Sequence, residues 1–336
     1  MQISPKVPCR EEKKPLLALG ELLIDMIPGT ENMRIEEAGP VIKTASGSAG
    51  ITACAMALLG GNGSFIGKVG FDSLSRLATS TLEQQGVDMS HVVKSDEGQI
   101  GLAFLEYLPE GRNYQYYRTN SVGSKLRPTD LDESQIAGAY AVHFPGMLLE
   151  LTPEMRQSCE KLVEIAKANG VLVSFDPNIR REISSNEDAR QRLLNTIRKT
   201  DLLAPTLDEG RLITGEQTIG NVLRALHAMG PTLVALTRDK DGAVLSRNGQ
   251  VAIAHGIPVD AIDPTGAGDS FAAALCVGLQ EEMPLDKLAC FCNCTGSLVC
   301  TKKGAVGMAL PTRAEVDAMM ASGICQVELT TLDKLE

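Results

Sequence analysis

The stretch DPTGAGDSF, residues 263–271, sets two glycines and two carboxylates immediately ahead of an apolar run. Phe271, Leu275 and Leu279 mark one face of a helix that begins there. Gly266 and Gly268 let the backbone approach a ligand closely. The first amides of such a helix are unpaired and carry partial positive charge. Gly266, Ala267 and Gly268 are therefore a candidate anion hole, suited to phosphate. Asp269 stands at its rim, where an ionised carboxylate can accept a proton from a nearby hydroxyl. Phosphoryl transfer through a loose transition state needs little proton removal, so a weak base suffices. The expected chemistry is a migrating phosphate held by the helix start while Asp269 aligns the attacking hydroxyl. A plain helix entry with a favourable N-terminal acid would use the same residue types.

Other groupings carry less. Thr206 and Glu209 have the spacing of a capping box, which is sufficient reason for both. Cys290, Cys292, Cys294 and Cys300 fall in LACFCNCTGSLVC, which reads as a helix of small residues. Cys290 and Cys294 would share a face one turn apart, with Cys292 pointing away. This differs from the paired Cys elements of zinc sites and reads as buried packing.

These residues need a scaffold, and the 336-residue chain is long enough to bury a large core. The net charge of −10 argues against nucleic acid as the main partner, because phosphate backbones call for a basic surface. No window approaches the ~18 apolar residues of a membrane span. No apolar leader follows the start, and residues 1–14 read as a loose tail. A reducing cytoplasm with nine free thiols is the expectation.

Residues 16–28, LLALGELLIDMIP, suit one buried strand, and 48–59 a helix stopped by Gly60-Gly61. Residues 100–120 read as a hairpin around PEGRN. From AYAVHFPG onward, strands and helices alternate, with helices at 152–169, 186–198, from 207, and 218–229. Non-alternating apolar strands separated by helices imply a mainly parallel sheet covered on both faces. The hairpin does not fit that layer and is expected to stand apart, with residues about 30–45, as a small β-lid. Ligands of such sheets bind at the carboxyl ends of the strands.

D-x-T-G-A-G-D-x-F resembles the C-terminal signature of the ribokinase-like (PfkB) carbohydrate kinases. Residues 46–72, SGSAGITACAMALLGGNGSFIGKVGFD, resemble the N-terminal signature of that family, and TKKGAVGMALP its tail. The two signatures lie in family order about 200 residues apart, so the resemblance covers most of the chain. It implies a three-layer α/β/α sandwich over residues 15–330, with a β-lid from about 30–45 and 98–122. It implies ATP and Mg2+ as cofactors and leaves open a monovalent cation near Asp263. By the same resemblance Asp269 is the catalytic base, and Gly266, Ala267 and Gly268 form the anion hole. Thr237 and Gly242 in LTRDKDGA match the segment that lines the nucleotide, although RDKDG would also make a simple turn. Asn293 and Ala305 would border the adenine. Glu209 matches the acid of an Asn-x-x-Glu pattern associated with magnesium-bound water, with Thr206 standing in for the Asn.

The lid suggests the substrate. Tyr107, Tyr116 and Arg118 would project from the hairpin, and Tyr116 and Arg118, two apart, share a strand face. An aromatic ring covers a sugar face and a guanidinium holds a carboxylate with two bonds. The stretch EYLP…YYR…S-x-G-S-x-L resembles 2-keto-3-deoxygluconate kinases, and Arg180 in FDPNIRR supplies a second cation. The leading expectation is phosphorylation of that acid sugar. Asp25, in GELLIDMIPG, instead resembles the hydroxyl-binding Asp of fructokinases, and Gly47 joins the sugar contacts. Fructose or another sugar is the alternative substrate, and an inactive sugar-sensing relative the non-enzymatic one. The family's Gly-Gly is Ser46-Gly47 here, and its sugar-contacting Asn is Ile51, which cannot donate to a hydroxyl. Two copies could pair through the lid, by analogy with relatives. A dinucleotide-binding oxidoreductase is disfavoured because no G-x-G-x-x-G follows the first strand, and a P-loop NTPase because no G-x4-G-K-[ST] occurs.

Overall fold

The computed structural model describes residues 13–30, 32–109, 111–179 and 186–336. The expected tail therefore lies outside the described residues up to position 12. Lys13 and Lys14 already belong to the body. Lys13 Nζ donates to Glu281 Oε1 at 2.8 Å and to the Gly60 carbonyl at 3.0 Å, and Gln280 donates to the Lys14 carbonyl at 2.9 Å. At the other end the Gly220 amide donates to the Glu336 carbonyl, so the body runs past the expected limit at 330.

The chain opens with β1 (Leu16–Leu19), β2 (Leu23–Pro28), β3 (Val41–Ser46), α1 (Ser48–Leu58), β4 (Gly63–Val69), α2 (Ser73–Gln84) and β5 (Val92–Lys94). The hairpin β6 (Gly101–Leu108) and β7 (Gly111–Tyr117) follows, then α3 (Glu133–Gly138). The alternating part holds β8 (Ala141–Pro145), α4 (Pro153–Ala168), β9 (Leu172–Asp176), α5 (Glu187–Ile197), β10 (Leu202–Leu203), α6 (Leu207–Thr214) and α7 (Ile219–Met229). The last part holds β11 (Leu233–Thr237), β12 (Gly242–Arg247), β13 (Gln250–His255), α8 (Ala267–Gln280), α9 (Leu285–Cys300), α10 (Arg313–Ala321) and β14 (Val327–Thr331).

Among the described residues, ten strands form one sheet in the order β14-β13-β12-β11-β10-β9-β8-β1-β4-β5. Strands β5 to β11 in that order pair in parallel, and β12, β13 and β14 add antiparallel. Both faces are buried, which is why the strands read as unbroken apolar runs. On β1, Leu16 and Ala18 pack toward α1, α8 and α9, while Leu17 and Leu19 pack toward α4, α5 and α7. The result is the expected three-layer α/β/α sandwich.

The lid is a second sheet in the order β3-β2-β6-β7, with its own small core of Ile27, Ala103 and Leu105. Its boundaries correct the expectation. Residues 16–28 are not one strand but two, β1 in the large sheet and β2 in the lid. The break falls where α1 presses on the chain: a Cβ on Gly20 would lie 2.6 Å from the Ala49 Cβ. Residues 32–40 form no strand, so β2 takes the place that part of segment 30–45 was expected to fill.

Candidate active site

The carboxyl ends of β1, β8 and β9, the starts of α1 and α8, and the inner face of the lid enclose a cavity of about 290 Å³. Its floor is the helix start read from the sequence. Gly266 caps α8 with φ +83°, and no side chain caps that end. Among the described residues no acceptor takes the Gly266 or Gly268 amide, whereas the Ala267 amide donates to the Pro264 carbonyl at 3.1 Å. Two of the three expected anion-hole amides are thus available, and the third is turned into its own loop. Asp269 lines the cavity in the first turn of α8, and Ser48 Oγ at the start of α1 donates to its Oδ1. That bond orients the carboxylate within the cavity wall.

Ile51 on α1 explains why position 266 is glycine. A Cβ at 266 would lie 3.0 Å from the Ile51 Cγ2, and a side chain at positive φ would be strained as well. Ile51 is buried and also lines the cavity, so it packs the turn at Gly266 from the position where the resemblance implied a sugar-contacting Asn.

The roof is β7. Arg112, Tyr114 and Tyr116 alternate along it, Arg118 continues the alternation just past its end, and all four line the cavity. Arg118 lies over the Tyr116 ring with its Cζ 4.9 Å from the centroid, as their two-residue spacing predicts. Its Nη1 also pairs with Glu21 Oε2 at 3.4 Å. Glu21 is buried, which pushes its carboxyl up, against the lowering effect of Arg118 and of the Ser121 hydroxyl. Tyr107 corrects its assignment as a sugar contact, because it does not line this cavity. Its hydroxyl donates to Asp263 Oδ2 at 2.6 Å.

Asp263 joins roof to floor. It is fully buried and also accepts from Arg112 Nη1 at 3.0 Å, Thr265 Oγ1 at 2.6 Å, and the Thr265 and Gly304 amides at 3.0 and 3.3 Å. Burial alone would raise its carboxyl, but the hydrogen bonds from Thr265, Tyr107 and Gly304 hold it below the usual range. The Tyr114 hydroxyl adds a 3.1 Å bond to Thr265. Asp25 on β2 lines the same cavity. Burial and the nearby Asp263 charge push its carboxyl up to about 7, against a hydrogen bond from Ser46. Gly47 lines the cavity at φ +105°, where a Cβ would lie 2.3 Å from the Glu21 carbonyl oxygen.

The remaining expectations fare unevenly. Arg180 lies outside the described residues. Thr237, Gly242, Asn293 and Ala305 do not line the cavity. Gly242 closes a turn in which the Arg238 amide donates to its carbonyl, and a Cβ there would lie 2.2 Å from the Ala254 carbonyl oxygen. The turn reading of RDKDG thus accounts for it. Asn293 donates to the His255 carbonyl at 2.8 Å, and Ala305 is fully buried. Neither presents free surface to an adenine in this conformation. Glu209 forms both halves of the capping box with Thr206, and its Oε1 accepts the Ile179 amide at 2.6 Å. Thr206 Oγ1 also donates to its Oε2 at 3.0 Å, and Glu209 does not line the cavity.

Sequence reasoning missed Arg112, Tyr114 and Ser48. The first two were legible, because the alternation that joins Tyr116 to Arg118 continues backward to Tyr114 and Arg112.

An open-ended helix start under a β roof, with an acid set between them, is the build of a small-molecule phosphotransferase. The profile of the pfkB family carbohydrate kinases matches residues 13–313. Probable fructokinase-4 of Arabidopsis thaliana is 31% identical over 322 residues, 92% of this chain and 97% of that one. A putative ribokinase II from E. coli, solved with ATP and Mg2+, superposes with TM-score 0.86 at 25% identity, covering 92% of this chain and 99% of the other. The 2-dehydro-3-deoxygluconokinase of Thermotoga maritima shares the fold, with TM-score 0.83 at 22% identity and coverage of 92% and 99%. The chain belongs to the pfkB family of carbohydrate kinases, and is a phosphotransferase whose acceptor is a sugar hydroxyl.

Proposed function

We propose that this kinase transfers the γ-phosphoryl group of ATP to a neutral ketose of the fructose class. Sequence reasoning put 2-keto-3-deoxygluconate first; the cavity's charge and the fructokinase relatives favour the alternative. One observation carries the reading. Both arginines of the roof are already paired with buried carboxylates, Arg118 with Glu21 and Arg112 with Asp263. With Asp25 and Asp269 also on the cavity wall, the described lining holds three acids against two arginines. An acid sugar would bring a further negative charge into that field and would have to displace an existing partner. A polyol needs only hydrogen bonds, which Asp25 and the tyrosine hydroxyls can supply.

In this mechanism Asp269 accepts the proton of the attacking hydroxyl, steered by Ser48, as the phosphoryl group settles on the Gly266 and Gly268 amides. Glu209 would hold magnesium through water, and the ion supplies charge neutralisation on the phosphates. The lid excludes water, which limits futile ATP hydrolysis. An ADP-release assay over fructose, other hexoses and 2-keto-3-deoxygluconate tests the proposal. Fructose is expected to give the higher kcat/KM, and higher kcat/KM with the acid sugar would overturn the reading.

A further inference from the structure

The helix of small residues holds a feature that its local pattern does not reveal. On α9, Cys290 and Cys294 share a face, with their Sγ atoms 3.9 Å apart. Cys292 points into the core, fully buried. Cys325, in the chain between α10 and β14, closes onto the Cys290–Cys294 face, and the three Sγ atoms all lie within 4.8 Å of one another. Among the described residues no other three such side chains converge.

We propose that Cys290, Cys294 and Cys325 form a three-thiolate site for a thiophilic metal ion of the zinc class. Zinc–sulfur bonds of about 2.3 Å place sulfurs about 3.8–4.0 Å apart. The Cys290–Cys294 separation already has that value, and Cys325 needs only a small inward shift. Asn293 Nδ2 lies 3.7 Å from the Cys325 sulfur. Cys325 is half-buried, so the ion has a route in from solvent, while Cys290 and Cys294 form a dry wall behind it. Each thiol that binds gives its proton to solvent, so affinity rises with pH. Three protein ligands leave the fourth tetrahedral position open to water. The ion would pin the segment after α10 onto α9 beside Asn293.

The test uses the full chain, reduced and stripped with chelator, then titrated with Zn2+ and with Co2+ as a spectroscopic substitute. One equivalent should bind, with a sulfur-to-cobalt charge-transfer band that Zn2+ abolishes. Cys325→Ser should weaken zinc binding about 100-fold or more, and Cys300→Ser should leave it unchanged. Far-UV circular dichroism checks that the variants fold. In the wild type, bound zinc should also protect Cys325 from alkylation, which carries the test should Cys325→Ser unfold. Absence of the charge-transfer band, equal affinity in Cys325→Ser, or alkylation of Cys325 indifferent to zinc would each overturn the proposal. So would air oxidation of Cys325 to a disulfide in a protein that takes up no metal when reduced.

Discussion

Asp25 offers a quantitative test of the cavity's electrostatics. In the unfolded chain its carboxyl should titrate near 3.8, and burial beside Asp263 pushes it up to about 7 in the folded protein. At about 1.4 kcal/mol per tenfold change in proton affinity, that difference is worth about 4 kcal/mol. The sign follows from proton counting. Between the two values the native state holds a proton that the unfolded chain has released, so raising the pH favours unfolding. The contribution is fully present below pH 3.8 and is lost as pH rises through 7. Asp25→Asn has no proton to lose. Its stability relative to wild type should therefore climb by about 2.5 kcal/mol between pH 5 and pH 7.5. Chemical unfolding of both proteins across that range measures the difference, and groups common to both cancel. Parallel stability profiles would show that Asp25 ionises normally, and would refute the account of a crowded, dry acidic wall.

Asp269→Asn should lower kcat by about 10²–10⁴-fold with little change in KM for ATP; activity within tenfold of wild type would remove its role as base. Gly266→Ala should lose about 1–2 kcal/mol in chemical unfolding, from positive φ and the Ile51 contact, and unchanged stability would show that the turn relaxes freely. Tyr107→Phe removes a charged-acceptor bond worth about 1.5–3 kcal/mol and should speed amide exchange across 101–117; exchange at the wild-type rate would show that this bond does not hold the lid.

The layered fold was legible because strand and helix periods alternate from residue 141 onward. The division of residues 16–28 was not, because β1 and β2 are both apolar and only the approach of α1 at Ala49 separates them. The helix start at 266 was legible from local chemistry alone, glycines and an acid within four positions. Roof chemistry was half legible. Alternation along β7 gives the face, but Glu21, 97 residues before Arg118, decides what that arginine is free to bind. Tyr107 was misread for a similar reason, since its partner Asp263 is 156 residues away. The thiol cluster needed Cys325, which no spacing rule ties to α9.

Roof and floor share a single carboxylate, and this bears on how product leaves. While the lid is down, Arg112 offsets the charge of Asp263. Lifting the lid, β6 and β7 together, would withdraw that guanidinium and the Tyr107 hydroxyl, leaving Asp263 beside Asp25 with only its Thr265 and Gly304 hydrogen bonds. A freshly phosphorylated sugar, carrying its new negative charge, would then face a wall of like sign. The motion that opens the exit would also drive the product through it.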